Sequence, residues 1–247
     1  MSTRKLPVSI GKHPFDLDDM IANLKEFHDI YQHRPIKNNS GGQLAAQLFY
    51  SWYVAKTMQP KYIIESGTYK GQGTWAFEQA CPDAKILCLD PFPKEIYKSP
   101  NAQYIKSDFT TVDWTEMPKD DCLAFFDDHQ NALERIMQCK KDGFKYVMFE
   151  DNYPPGQGDC MSLKKALSQD EKHEILPGLS TYDYLKNIID VYYEMPPIFD
   201  IQTNRWGLPW NTYGSNKPLL TNVSEQYHKV YYDDMSQYTW INYVELK

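Results

Sequence analysis

Apolar and polar positions change period several times along the chain, and the changes divide it. Positions 16–33 put Ile21, Leu24, Phe27, Ile30 and Tyr31 on one face of a helix. Pro35 stops it, and the Asn-Asn-Ser-Gly-Gly run at 38–42 is a loop. A second helix over 43–58 carries Leu44, Leu48, Trp52 and Ala55 as its inner stripe and ends before Pro60. From there the period shortens. Apolar runs at 62–65, 85–89, 102–105, 123–126 and 145–149 alternate with amphipathic stretches at 72–80 and 130–141, the latter closed by Gly143. Near-continuous apolar strands separated by helices predict a parallel sheet covered on both faces.

After position 152 the pattern breaks. Residues 153–222 are rich in Pro, Gly, Tyr and Trp, with a short helix near 180–190 capped by Ser180 and Asp183. Alternation returns at 226–232 and 238–246 and predicts an antiparallel hairpin. The expected fold is α/β: a Rossmann-like, doubly wound, mostly parallel seven-stranded sheet, with that C-terminal hairpin and a large insertion after the fifth strand. It divides into an N-terminal helical segment, 1–59, and a main domain, 60–247. Within the latter, 153–222 covers the substrate at the carboxyl ends of the strands.

Composition narrows the partners. The formal net charge is −7, with no basic stripe to offset it, which argues against nucleic acid. No apolar stretch approaches the roughly 20 residues of a membrane span, and the first residues lack the apolar segment of a signal peptide. The five cysteines are odd in number and have no C-x-x-C spacing, so neither a disulfide framework nor a zinc site is expected. These features point to a reducing, cytoplasmic compartment. A homo-oligomer is left open.

The densest chemistry lies at 61–90. An apolar run ends in Glu65, a turn carries Gly67, Gly71 and Gly73, a short helix comes next, and a second apolar run ends in Asp90. This is half of a βαβ unit equipped to bind a ligand at a helix N-terminus. The spacing G-x-x-x-G-x-G is not the G-x-G-x-x-G of nicotinamide folds and suits a ligand without phosphates. Glu65 would meet an amino or sulfonium group, Asp90 the ribose hydroxyls, and Ser107 with Asp108 would flank an adenine. The plainer reading is a tight turn that needs glycine for steric reasons.

A second constellation joins Asp127-Asp128-His129 with Glu150-Asp151-Asn152, each at the end of a strand of the same sheet. Hard oxygen ligands from Asp128, Asp151 and Asn152 suit Mg²⁺, and clustered carboxylates repel one another without a cation. His129 would take a proton from a substrate hydroxyl. The competing readings are an Asp128 helix cap and an Asp151-Asn152 turn before Pro154-Pro155. The insertion's aromatics (Tyr153, Tyr182, Tyr184, Trp206, Trp210, Tyr213) either wall a substrate pocket or form a minicore of their own.

Residues 63–74, I-I-E-S-G-T-Y-K-G-Q-G-T, are similar to the first motif of class I S-adenosylmethionine-dependent methyltransferases, and Asp90 matches their ribose-binding acid. The resemblance implies S-adenosylmethionine as cofactor, held by Glu65, Gly67, Thr68, Tyr69, Gly71, Gly73, Thr74, Asp90, Ser107 and Asp108. Asp128-His129 and Asp151-Asn152 resemble the metal-site pairs of catechol O-methyltransferase, whose catalytic lysine is replaced here by Asn131. Macrolide-sugar O-methyltransferases, related to cephalosporin hydroxylase-like proteins, resemble the chain through Asp128, His129, Glu150 and Asp151. These resemblances imply a divalent-metal-assisted O-methyltransferase acting on a hydroxyl of a sugar or similar polyol. Asp128 and His129 would be catalytic, and Asp128, Glu150, Asp151 and Asn152 would hold the metal. The partner is a small-molecule or glycan acceptor. An iron-dependent hydroxylase on the same carboxylates and a non-catalytic nucleoside-binding scaffold are the alternatives.

Overall fold

A computed structural model describes residues 7–168, 174–200, 203–204, 206–221 and 238–247. Its centre is a sheet of eight strands. Five obey the alternating pattern: β2 (Tyr62–Ser66), β3 (Lys85–Leu89), β4 (Ala102–Ile105), β5 (Cys122–Phe126) and β6 (Tyr146–Phe149). With β1 (Ser9–Ile10), β9 (Ile189–Glu194) and β10 (Asn242–Leu246), the order is β1-β9-β10-β6-β5-β2-β3-β4. β2 through β6 are parallel, whereas β10 lies antiparallel to both β6 and β9. The fold is α/β, Rossmann-like and doubly wound.

The last strand differs from expectation. Its antiparallel partner is β9, which lies inside the stretch read as insertion, because Ile189, Val191 and the Tyr192-Tyr193 pair give it buried positions on both faces. The expected strand at 226–232 lies outside the described residues.

Strand parity sorts the side chains into two cores. Ile63, Cys88, Leu123, Phe125 and Met148 point to one face, beneath α1 (Leu17–Tyr31), α2 (Ala45–Met58) and α3 (Gln72–Ala80). Ile64, Leu89, Ala124, Phe126, Val147 and Phe149 point to the other. There they meet α4 (Ala132–Asp142), α5 (Leu163–Ala166) and α6 (Thr181–Ile188). α2 has a broader inner face than its predicted stripe: every residue from 45 to 55 is buried, as befits a helix apolar on all sides. α6 obeys its capping signal, with Ser180 accepting from the Asp183 N–H. β7 (Glu174–Leu176) and β8 (Leu179–Ser180) form a separate short hairpin.

This topology fixes where a ligand goes. The chain runs outward from β2 to β3 and β4, then returns to β5 on the other side of β2. The crevice beyond the carboxyl ends of β2 and β5 is the switch point at which open α/β sheets bind ligands.

Candidate active site

The parallel ladder ends level at Ser66, Leu89, Phe126 and Phe149. The residues one step further are Gly67, Asp90, Asp127 and Glu150, so one row along the sheet edge carries three acids and a glycine. Gly67 has φ +90°, and a Cβ there would stand 2.1 Å from the Asp127 carbonyl oxygen. Glycine is what lets the β2 and β5 turns touch.

Two cavities open at this row. A cleft of about 230 Å³ is bounded by Gly67, Tyr69, Asp90, Phe92, Asp108 and the 127–130 turn. A smaller one, about 30 Å³, is lined by Gln47, Asp127, His129, Glu150, Asp151 and Thr239. Gly41, Gly42, Asp127 and His129 wall both. The 38–42 loop closes over them, held by the Tyr69 hydroxyl on the Ser40 carbonyl (3.1 Å) and the Lys70 ammonium on the Asn38 carbonyl (3.1 Å).

Of the residues expected to hold a nucleoside, Gly67, Tyr69, Asp90 and Asp108 line the cleft. The Asp90 carboxylate accepts from the backbone N–H groups of Tyr69 (3.2 Å) and Phe92 (2.7 Å), which pin it at the rim. Gly71 caps α3 with φ +93°, and Ser107 turns to the Thr111 hydroxyl. Glu65, Thr68, Gly73 and Thr74 are buried behind the turn. Glu65, only 1% exposed, does not face the cleft as a charge. Burial pushes its carboxyl up to about 8 against the Thr74 and Cys88 hydrogen bonds, so it is neutral at pH 7. Its Oε1 has no hydrogen-bond partner, and neither do Asn39 Oδ1, Thr68 Oγ1 and Gln72 Nε2 around the same turn. Buried polar groups in folded proteins are nearly always paired. Four orphans at one turn fit a polar ligand that completes their bonding.

The acidic residues divide by strand parity. Asp127 continues the face of Leu123 and Phe125, and Asp128 that of Phe126. Asp128 therefore points to α4. Its Oδ2 accepts from the Ser66 hydroxyl (2.7 Å) and Arg135 Nε (3.0 Å), and its Oδ1 from the Gln130 N–H (3.2 Å). Arg135, itself buried, also holds Asp108 with two hydrogen bonds of 3.1 and 2.6 Å. Against burial, that guanidinium and Thr110 keep the Asp108 carboxyl at about 2. The cap of α4 is Asn131, which accepts from the Leu133 and Glu134 N–H groups, and not Asp128.

Asp127 lines both cavities, whereas Asp128 lines only the larger cleft. Ligand atoms of Asp127, His129 and Asp151 lie within 4.8 Å of one another. His129 Nδ1 stands 2.9 Å from Asp151 Oδ2 and 3.4 Å from Asp159 Oδ2. His129 adopts φ +54°, an uncommon left-handed conformation for a side chain of its kind, which turns the ring toward the acids. Glu150 accepts from the Thr239 hydroxyl (3.1 Å). Asn152 is brought to the same turn, but its amide is spent on the fold. It donates to the Tyr192 hydroxyl (2.8 Å) and the Trp240 carbonyl (3.0 Å), and accepts from the Lys164 N–H (2.8 Å).

Charge is unbalanced here. Burial and the Asp151 charge push Asp127 and Glu150 well above the usual carboxylate range. Against burial, hydrogen bonds from Glu150, His129 and Tyr153 hold Asp151 below it. The Asp151 hydrogen bond, opposed by burial and helped by the charges of Asp151, Asp127 and Asp159, lifts His129 to about 9. His129 and Asp151 thus form a charged pair beside two acids, Asp127 and Glu150, whose ionisation is disfavoured. Carboxylate oxygens with one imidazole are a donor set that suits a divalent cation such as Mg²⁺ or Mn²⁺, and a cation would let the two acids ionise.

The insertion's aromatics do not act as one group. Tyr153, with Tyr238 and Trp240, forms a buried minicore on which Trp210 and Tyr213 pack. Tyr182 and Tyr184 sit on the α4 side of the sheet. Trp206 is 38% exposed and edges onto the Tyr153 ring at 5.2 Å.

No family model matches the chain, and no curated protein matches it. Solved structures are similar in part. Apo CmcI is 16% identical over 42% of this chain and 52% of its own, with a TM-score of 0.37. CmcI with Mg and SAM is 17% identical over the same shares, with a TM-score of 0.35. The SAH-bound methyltransferase PaMTH1 of Podospora anserina is 16% identical over 72% of this chain and 82% of that chain, with a TM-score of 0.41. The chain thus spans about half the length of CmcI. In fold it is similar to these proteins, and at such identities the likeness adds nothing to the strand order itself. Among the described residues no helix is long and apolar enough to cross a membrane.

Proposed function

We propose that the chain is an S-adenosylmethionine-dependent O-methyltransferase that modifies a hydroxyl of a sugar or similar small polyol. A divalent cation would be held by Asp127 and Asp151, with Glu150 beside them and His129 over them as the base. The observation that carries this reading is the shared wall: the cleft at the glycine turn and the acidic cavity have Asp127, His129 and the 41–42 backbone in common. A donor and an acceptor placed in the two would meet there.

Asp90, fixed by two backbone donors, would take a ribose diol. The α3 N-terminus and the orphaned atoms of Asn39, Thr68 and Gln72 would meet the polar end of the donor. A bound cation would lower the pKa of the acceptor hydroxyl and supply the positive charge that the His129 proton supplies in its absence. His129 Nδ1 is engaged by Asp151, which fixes the ring and leaves Nε2 to accept the hydroxyl proton. The methyl group would pass from sulfur to oxygen as the carbon–sulfur bond breaks, leaving a thioether. Holding the two atoms about 3 Å apart and in line supplies much of the rate.

One imidazole with two or three carboxylates is not the two-His, one-carboxylate set of iron oxygenases, so the donor set favours the transferase. The test is calorimetry with S-adenosylhomocysteine, then transfer of labelled methyl to a panel of polyols with Mg²⁺ or Mn²⁺ and with chelator. Binding of the nucleoside and metal-dependent transfer are expected. A chain that binds no S-adenosylhomocysteine, or that transfers equally well in chelator, contradicts the proposal.

A further inference from the structure

Arg135 is a buried cation shared by two acids of the larger cleft, Asp108 and Asp128. It sits in the first turn of α4, where its N–H donates to the carbonyl of the cap residue Asn131 (3.0 Å). Its guanidinium carbon lies 5.9 Å from the centres of both the Phe109 and Phe126 rings, and its side chain is 5% exposed. From that seat Nε and Nη2 each stand 3.0 Å from Asp128 Oδ2. Nη1 and Nη2 donate to Asp108 Oδ1 and Oδ2 at 3.1 and 2.6 Å. Asp108 Oδ1 also accepts from the Thr110 N–H (2.9 Å) and the Thr110 hydroxyl (2.6 Å). Three of the four bonds therefore fall on Oδ1, and among the described residues Oδ2 is held by Arg135 alone. A carboxylate offers about four lone-pair sites, two to an oxygen, so Oδ2 keeps one for a ligand. The Asp108 side chain is 30% exposed and lines the cleft.

We propose that Arg135 is a positioning residue that selects the base of the nucleoside. It presents Asp108 Oδ2 as a pure acceptor, which takes an exocyclic amino group and rejects an oxo group. This rests on the reading of the larger cleft as the nucleoside site. The sheet runs β5-β2-β3-β4 across that cleft. With the reacting end at the wall beyond β5 and the ribose on Asp90 beyond β3, the base is left the Asp108 side, beyond β4. A guanidinium fork sets the plane of a carboxylate through two parallel bonds, whereas Thr110 holds one oxygen and leaves the other unfixed. A carboxylate paired in this way has no proton to give, so an oxo group there would set acceptor against acceptor.

The probes are S-adenosylhomocysteine and its deaminated analogue S-inosylhomocysteine, each titrated by calorimetry into the same protein. The ratio of the two affinities does not depend on how much of a sample is folded, so a loss of stability alone leaves it unmoved. The wild type is expected to favour the amino base by about 10- to 100-fold, the worth of one hydrogen bond to a charged group. Arg135→Lys keeps a cation but cannot fix both oxygens as a fork does. It is expected to lose most of that preference although Asp108 is intact. Asp108→Asn, which can turn an amide N–H toward an oxo group, is expected to abolish it. An Arg135→Lys or Asp108→Asn protein with the wild-type ratio overturns the inference, as does a wild type that binds both nucleosides equally. In each case the proposed function stands. A wild type that binds neither nucleoside overturns both.

Discussion

The two halves of the site are assembled differently. The half proposed to hold the nucleoside comes from one contiguous stretch, from β2 through the glycine turn and α3 to Asp90 at the end of β3. Its parts are set by local backbone: Gly71 caps the helix, and the Tyr69 and Phe92 N–H groups hold Asp90. The acidic half gathers Gln47 from α2, Asp127 and His129 after β5, Glu150 and Asp151 after β6, and Thr239 before β10. No local pattern defines it. Contiguous chemistry survives in sequence as a motif, whereas convergent chemistry depends on which way each strand faces when it ends.

The largest effect separates the halves. Asp151→Asn is expected to lower methyl transfer by about 10²- to 10³-fold, the scale of losing one group that stabilises developing charge. S-adenosylhomocysteine affinity is expected to hold, by calorimetry on the same protein. Equal loss of both would mean the halves are one site. Gly67→Ala joins them, because its Cβ would meet the Asp127 carbonyl at 2.1 Å in a left-handed conformation. A stability loss of about 2–3 kcal/mol is expected, from overpacking and backbone strain together, measured by urea denaturation.

A second effect on stability appears with pH. Glu65 has its folded pKa raised to about 8 from 4.5, burial being the main cause. Between those values the folded chain holds a proton that the unfolded chain has lost. Stability from this group is therefore highest below about pH 4.5 and falls as pH rises through about 8, by about 1.4 kcal/mol per pH unit. Glu65→Gln is expected to flatten the urea midpoint between pH 5 and 8 by that slope; an unchanged slope would mean Glu65 is ionised in the folded chain. The smallest effect is on the acceptor side. Trp206→Ala is expected to raise acceptor KM by less than about 10-fold, the worth of one aromatic contact, with the nucleoside KM unmoved.

These contrasts match what the sequence made legible. The alternation of strands and helices predicts β2 to β6, and the glycine turn with Asp90 stands where expected, since each depends on neighbours a few positions away. Asp127 is hidden because Asp127 and Asp128 differ by one step of a period-two strand. The phase is set by Phe125 entering the core beneath α3 and Phe126 entering the core beneath α4. Counting that alternation back from Ile63 and Leu123 is the available signal. Asn152 looks like a ligand because it adjoins Asp151, yet its partners Tyr192, Lys164 and Trp240 are 40, 12 and 88 positions away. β9 reads as insertion because its tyrosines resemble the aromatic stretches around it, and its pairing with β10 and β1 identifies it as sheet.

The proposed chemistry of the acidic half depends on Asp127, and not Asp128, lining the small cavity. Comparing Mn²⁺ affinity in Asp127→Asn and Asp128→Asn tests this most directly. Asp127→Asn is expected to lose Mn²⁺ binding. Asp128→Asn is expected to keep wild-type affinity while losing stability, because Arg135 and Ser66 lose a charged partner. An Asp128→Asn protein that loses Mn²⁺ while Asp127→Asn retains it would contradict that placement and the mechanism built on it.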